Sequence, residues 1–273
     1  KCLIERPALI RGVHLDYFRA GADVATTATS QATFEGFAAR SIERSAAARM
    51  MCDAVRLAAA ARDEFWSVAA NRLGRLRPLV AASIGPYGAM LADGSEYRGH
   101  YALDDVALAD FHRPRLRVLA NAGADILACE TIPCLREAAV LAQLLREFPA
   151  ACAWVSFSCQ DGARNCAGED IGTCVRELRG HPQIVAVGVN CTPPQYMTPL
   201  LRIMRKHTDR PLVIYPNSGE HYDAASKQWD GSPAGAAFGE RAREWQTEGA
   251  RLIGGCCRTG PLDIHDVRRC VHS

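Results

Sequence analysis

The stretch that decides the fold is Ile184-Val185-Ala186-Val187-Gly188-Val189-Asn190-Cys191, an apolar run that ends in an amide and a thiol. A strand of a parallel sheet is covered on both faces, so its sequence is apolar throughout instead of alternating. The stretch therefore predicts a buried parallel strand. Short runs of the same kind, rich in Val, Ile, Leu and Ala, recur along the chain. The seven predicted strands are residues 22–29, 78–85, 124–131, 153–159, 184–191, 211–217 and 251–257.

Helical patterns separate these runs. Pro7 begins the first predicted helix and Gly21 ends it. Residues 35–75 are Ala- and Arg-rich, and their apolar residues have helical spacing. Pro133 suits the first turn of another helix. Alternating strands and helices leave two architectures, an open doubly wound sheet or a closed (β/α)8 TIM barrel. No Gly-x-Gly-x-x-Gly follows an early strand, which weakens the dinucleotide-binding open sheet. The sequence therefore favours the barrel.

Seven strands are one fewer than such a barrel requires. We therefore expect the first strand to lie upstream of Lys1, within roughly 30 to 45 further residues, and a slot between strands 22–29 and 251–257. We find no Pro/Ser-rich linker or low-complexity run, so residues 1–273 are predicted to be a single domain.

Composition excludes several classes of protein. The 273 residues carry 32 Lys and Arg against 30 Asp and Glu, a net charge of +2, so a basic field for nucleic acid or anionic lipid is not expected. No apolar stretch approaches the roughly 18 residues of a membrane span, and the amino terminus does not resemble a signal peptide. Twelve cysteines, about 4% of the chain, are too few for a disulfide-stapled scaffold. A reducing, cytoplasmic location is predicted.

Most of these cysteines are interpreted as small buried apolar residues, but three stand at strand ends. Cys191 closes its strand, and Cys256 and Cys257 close the last one. In a barrel, alternate strands meet at the carboxyl-end face, where Gly254 and Gly255 would let the chain bend so that both adjacent thiols reach one centre. Three thiolates with one open position are typical of catalytic zinc. Spacing alone leaves open that the pair lies in a tight turn with Cys191 buried elsewhere.

The chain resembles the homocysteine S-methyltransferase family, especially its bacterial members that use S-methylmethionine. The resemblance rests first on residues 188–191 and 254–259, which match the two zinc-ligand motifs of the family. It implies the (β/α)8 fold, Zn2+ bound by Cys191, Cys256 and Cys257, and small-molecule substrates. Family members also carry an early Asp-Gly pair whose Asp helps hold the amino group of homocysteine, and this chain has no counterpart. Further matching segments are residues 14–22, 83–89, 128–133 and 215–220.

The reaction so implied is methyl transfer from a sulfonium donor, S-methylmethionine or alternatively S-adenosylmethionine, to the thiol of L-homocysteine, giving methionine. Glu130 resembles the family carboxylate that binds the homocysteine ammonium, although an ordinary charge at a helix start would look the same. Asn190 is either an amide that contacts a metal ligand or the substrate, or a turn residue. Four residues that follow strands either line the mouth or merely pack: Gln31, Tyr87, Tyr215 and Asn217. Ser83, in the matching segment 83–89, is also predicted to bind substrate.

Two alternatives remain. One is a betaine-dependent or cobalamin-linked homocysteine methyltransferase that shares the acceptor site; the length leaves no room for a cobalamin module. The other is an inactive zinc-binding or thiol-storage protein, if the first strand is truly absent. The resemblance across the mouth favours the enzyme with a sulfonium donor.

Overall fold

The computed structural model describes residues 2–223, 228–230 and 238–271. All seven predicted strands are present and form one parallel sheet in the order β1-β2-β3-β4-β5-β6-β9. This confirms the α/β fold of TIM-barrel type, with the strands curled so that one face is internal. The sheet strands are β1 (Val24–Thr26), β2 (Leu79–Ile84), β3 (Ile126–Ile132), β4 (Ala153–Phe157), β5 (Ile184–Asn190), β6 (Leu212–Tyr215) and β9 (Ala250–Ile253).

A separate two-stranded antiparallel sheet of β7 (His221–Asp223) and β8 (Gln228–Asp230) follows β6. The sequence did not predict it, because three-residue strands are too short to carry a periodic pattern. The α-helices are α1 (Cys2–Glu5), α2 (Pro7–Ala20), α3 (Phe34–Ala38), α4 (Arg44–Ser67), α5 (Tyr87–Leu91), α6 (Asp105–Ala120), α7 (Leu135–Leu145), α8 (Ile171–Glu177), α9 (Met197–Met204), α10 (Phe238–Thr247) and α11 (Pro261–Val271).

The helix boundaries confirm part of the sequence prediction. Helix α2 begins at Pro7, and Gly21 ends it with φ 117° while its N–H bonds the last turn. The predicted helix over residues 35–75 is divided into α3 and α4, because Ser41 between them has φ 56°, a left-handed conformation that no helix continues through. The placement of Pro133 was wrong: α7 starts two residues later, because Cys134 is extended and forms its N-cap.

The two faces of the sheet bury different side chains. The outer face packs against the helices in the main hydrophobic core. The inner face carries a smaller cluster of three alanines, one Val, one Trp and one Tyr, which leaves room inside the curl. Strands β5 and β6 approach closely at Gly188, where a Cβ atom would lie 1.6 Å from the Val213 carbonyl oxygen. The inner-cluster residues are Ala81, Ala128, Trp154, Ala186, Val213 and Tyr215.

In the described part of the chain, β1 and β9 are the edge strands of the sheet. A cavity of about 680 Å³ lies between them, lined by Val24 and Thr26 on one side and Leu252 on the other. The slot predicted between these strands is therefore present. It reaches inward to Glu130 and Cys256. Among the described residues, no helix combines the length and apolarity needed to cross a membrane.

Candidate metal centre

The inner face of the sheet turns polar toward the carboxyl ends of its strands. Side chains two or four residues apart in a strand share a face, so each polar residue follows an inner-cluster residue of its own strand. The polar groups thereby converge at the mouth of the curl, and all of them are buried. They are Ser83 on β2, Glu130 on β3, Ser156 on β4, Asn190 on β5 and Tyr215 on β6.

A hydrogen-bonded chain joins these groups. The Ser83 hydroxyl donates to Glu130 Oε1, and the Tyr215 hydroxyl donates to Oε2 at 2.9 Å. Trp154 Nε1 donates to the Tyr215 oxygen at 2.9 Å. Ser156 Oγ lies 2.7 Å from that oxygen and donates to Asn190 Oδ1 at 2.8 Å. The carboxylate of Glu130 is thus held at both oxygens by hydroxyl groups from other strands.

Asn190 links this chain to the cysteines. Its Oδ1 accepts the Thr131 N–H at 2.7 Å, and its Nδ2 donates to Thr131 Oγ1 at 2.8 Å and reaches Cys256 Sγ at 3.9 Å. The Thr131 N–H is available because the register of β3 shifts between Cys129 and Ile132, and Thr131 has φ 61°. Asn190 therefore bonds to β3, two strands away in the sheet, and reaches a cysteine, and it does not form a turn of its own.

Cys191, Cys256 and Cys257, hereafter the cysteine trio, lie together. Their Sγ atoms are all within 4.8 Å of one another. The sulfur atoms of Cys191 and Cys257 are 3.4 Å apart, and those of Cys256 and Cys257 are 4.0 Å apart. Tetrahedral zinc with Zn–S bonds of about 2.3 Å requires sulfur separations of about 3.8 Å. The trio thus matches one face of such a tetrahedron, and thiol ligands suit zinc better than magnesium or calcium.

Backbone contacts bring the trio together. Cys191 has φ 49° and donates its N–H to Tyr215 O, and Cys256 donates its N–H to Pro216 O at 2.7 Å. Strand β9 ends at Ile253, so Gly254 and Gly255 stand where the regular strand stops, as expected, although neither has a positive φ. Gly255 is also needed for space, since a Cβ atom there would lie 2.3 Å from Thr259 Oγ1.

The electrostatics of the mouth differ from group to group. Hydrogen bonds from the Cys191 and Cys256 thiols lower the pKa of Cys257, and hydrogen bonds with Cys191 and Cys257 raise the pKa of Cys256. The trio therefore presents a thiolate suited to bind a cation. Burial raises the pKa of Glu130, and the hydrogen bonds from Ser83 and Tyr215 partly oppose that rise.

Two residues at the mouth escaped the sequence prediction. The Tyr97 hydroxyl lies 3.1 Å from Cys191 Sγ, and the neighbouring Glu96 is close enough to Cys257 for their negative charges to repel. Both belong to the short 3-10 helix Ser95–Tyr97, within the long connection between β2 and α6. No periodicity or motif marks this segment, so only its folding over the trio reveals it.

The other predicted residues lie away from this network. Gln31 is exposed in the turn after β1. Tyr87, the first residue of α5, packs edge-on against Tyr101 and Phe111. The Asn217 side chain accepts the Gly219 N–H at 2.9 Å and so stabilises its own turn. Of the seven predicted substrate-binding residues, the structure thus brings Ser83, Glu130, Asn190 and Tyr215 into one network, and it does not bring these three into it.

Comparison with known proteins agrees with this geometry. The sequence model of the family described as homocysteine S-methyltransferase matches residues 1–271. The chain belongs to the homocysteine S-methyltransferase family. It is 54% identical over 267 residues to homocysteine S-methyltransferase YbgG of Bacillus subtilis (strain 168), covering 98% of this chain and 85% of the relative. It is 49% identical over 266 residues to the homocysteine S-methyltransferase of Escherichia coli (strain K12), covering 97% and 84%.

Solved structures of family members share the fold. The metallated form of the homocysteine methyltransferase MmuM from Escherichia coli superposes with a TM-score of 0.88 at 44% identity, covering 100% of this chain and 87% of that one. Its oxidised form gives a TM-score of 0.88 at 45% identity, covering 98% and 86%. A structure of this family has therefore been obtained with bound metal.

Proposed function

We propose that this protein transfers a methyl group from a sulfonium donor, in the first place S-methylmethionine, to the thiol of L-homocysteine. The product is methionine, and the proposed cofactor is one zinc ion bound by the cysteine trio. The observation that carries the proposal is the trio itself. Three sulfur atoms with tetrahedral spacing lie beside a doubly hydrogen-bonded carboxylate in a chain of the homocysteine S-methyltransferase family.

The chemistry requires an activated sulfur nucleophile. With a thiol pKa near 8.5, only about 3% of homocysteine is thiolate at pH 7. Zinc bound at the trio would supply the positive charge that keeps the substrate thiol deprotonated at neutral pH. The Asn190 amide and the Tyr97 hydroxyl contact Cys256 and Cys191, and so would orient these two thiolates and balance their charge.

Glu130 is proposed to bind the ammonium group of homocysteine. Each of its oxygens already accepts one hydroxyl, and each keeps a second acceptor position for an N–H of the ammonium. Because the hydroxyls of Ser83 and Tyr215 come from β2 and β6, two other strands of a packed sheet, the carboxylate is held in place before substrate binds. Such preorganisation directs the substrate sulfur toward the trio.

The transfer itself balances simply. The bond between the donor sulfur and the transferred methyl carbon breaks, and its electron pair stays on the donor sulfur, which becomes a neutral thioether. A new bond forms between that carbon and the homocysteine sulfur, whose proton is released to solvent. With S-methylmethionine, both products are methionine. Because this chemistry needs free thiols, we also propose a reducing, cytoplasmic location; all twelve cysteines are free in the structure.

The test is methyl transfer by the zinc-loaded protein to homocysteine carrying carbon-13 in its backbone. Labelled methionine should form with S-methylmethionine or S-adenosylmethionine, and the ratio of the two rates defines the donor preference. Betaine serves as the comparison donor. If labelled methionine forms only with betaine, the donor is betaine and not a sulfonium compound. If none of the three donors gives labelled methionine, the proposed function is refuted.

A further inference from the structure

The connection between β2 and α6 holds its short 3-10 helix firmly over the trio. Besides the contact of Tyr97 with Cys191, the backbone carbonyl of Glu96 accepts the Ser158 hydroxyl at 3.1 Å. The 3-10 helix also packs closely against α5, since a Cβ atom on Gly88 would be 2.4 Å from the backbone nitrogen of Glu96. The position of Glu96 is therefore determined from three sides, by α5, by the end of β4 and by the end of β5.

The side chain of Glu96 is in an unusual state. Its Oε2 atom is buried and has no hydrogen-bond partner among the described residues. Burial raises the pKa of this carboxyl group; a backbone hydrogen bond and the charge of Arg98 oppose that rise, and the charges of Asp93 and Cys257 add to it. A buried carboxylate oxygen without a donor is costly, and such a group in a native site calls for a ligand that compensates it. A positively charged ligand would do so.

Glu130 and Glu96 together match the charges of two substrates. Both oxygens of Glu130 are hydrogen-bonded, whereas Glu96 has an oxygen without a donor. The proposed reaction brings two cations to this mouth, the ammonium of the acceptor and the sulfonium of the donor. A sulfonium has no N–H or O–H to donate and is stabilised by a nearby negative charge. A carboxylate with an oxygen left free of donors suits it better than one already bound by hydroxyls.

We propose that Glu96 recognises the positive charge of the methyl donor and thereby distinguishes the sulfonium from the neutral thioether that remains after transfer. This inference rests on the proposed function and specifies how its donor is selected. The sulfonium loses its charge during transfer, so the attraction is strongest before the reaction and gone after it. Glu96 should therefore lower the KM for the donor without raising kcat, and it should weaken retention of the product.

The experiment compares the wild-type protein with Glu96→Gln, which keeps the shape of the side chain and removes its charge. The KM for S-methylmethionine should rise about 10- to 100-fold, the size of a lost charge-assisted contact, with kcat unchanged or higher. The KM for homocysteine and the zinc content should stay the same. Inhibition by methionine, the neutral thioether, should also stay the same. Glu96→Asp should recover part of the donor affinity, and Glu177→Gln, on the exposed end of α8, is the matched control.

Calorimetric titration of the zinc-loaded protein with S-methylmethionine makes the test independent of turnover. An unchanged donor KM and affinity in Glu96→Gln would overturn the inference while leaving an active enzyme and the proposed function intact. Equal weakening of methionine and S-methylmethionine would also overturn it, because that result indicates a role in shape and not in charge. If wild-type protein forms no methionine but binds the donor more tightly than Glu96→Gln does, the proposed function fails and the charge recognition stands.

Discussion

Replacing Glu130 by Gln should reduce the use of homocysteine without weakening the fold. The variant keeps the shape of the side chain inside the mouth, where Glu130 is only 8% exposed, but it cannot form a charge-assisted bond to an ammonium group. Such a bond is worth roughly 1.5 to 3 kcal/mol, or about a ten- to a hundredfold change. The kcat/KM for homocysteine should fall by that factor, while the KM for the donor changes little.

The same variant should also differ from the wild type in how its stability depends on pH. Because burial raises the pKa of Glu130 in the folded protein, the folded state binds its proton more tightly than the unfolded state does. Wild-type stability due to this group is therefore present below its ordinary pKa and is lost as the pH rises through the folded pKa. Gln removes that loss, so the free energy of unfolding of the variant relative to wild type should increase from pH 5 to pH 7.5.

Steady-state kinetics with homocysteine varied, and urea unfolding at the two pH values, measure both effects. The new amide group donates where a carboxylate oxygen accepted, so one of the two hydroxyls must turn to accept from it. At most one hydrogen bond is then lost, and the free energy of unfolding at pH 7.5 should fall by no more than about 1 kcal/mol. Glu147→Gln, which breaks an exposed ion pair with Arg113, is the control and should change neither quantity. Unchanged homocysteine kinetics would show that Glu130 is only a structural carboxylate within β3, and the reasoning would then be wrong.

Three further predictions concern the trio and its supports. Replacing any member of the cysteine trio by Ala should lower bound zinc well below one per chain and abolish methyl transfer. The control Cys52→Ala should do neither. Stoichiometric zinc in all three trio variants would show that these cysteines are not the ligands. Gly188→Ala should destabilise the protein by about 3 kcal/mol or more, because its Cβ atom would clash with backbone. Gly12→Ala, where a Cβ atom would have nothing within 4 Å, should stabilise the protein by about 0.5–1 kcal/mol. Equal urea midpoints for these two glycine variants would contradict the close approach of β5 and β6. Tyr97→Phe should weaken zinc binding about tenfold by removing the hydrogen bond to Cys191, and chelator competition that detects no difference would refute that role.

Local sequence information predicted the secondary structure because burial on both faces leaves a direct mark on composition. Each of the seven parallel strands was recognised from its own residues, and so was the beginning and end of α2 at Pro7 and Gly21. The predictions failed where a single backbone conformation decided the outcome. The left-handed residue Ser41 divides one predicted helix, and the extended Cys134 delays another.

The site was predictable only in part. Position at strand ends placed Cys191, Cys256 and Cys257 at the same end of the sheet, since parallel strands end together. Whether their sulfur atoms approach to 3.4 Å, however, depends on how the sheet curls and on the contacts between the β6 and β9 ends. The sequence likewise left the role of Asn190 open between a turn and a contact with a ligand.

The sequence alone determined which elements form and which end of the sheet carries the chemistry, because periodicity and order along the chain are local properties. Only the tertiary structure decided which side chains meet there. Glu130 contacts Tyr215 across 85 positions of sequence, and Tyr97 contacts Cys191 across 94. Such pairs depend on strand register, on the irregularity at Thr131 and on the path of one long connection. These are set by the packing of the whole chain, and no single segment encodes them.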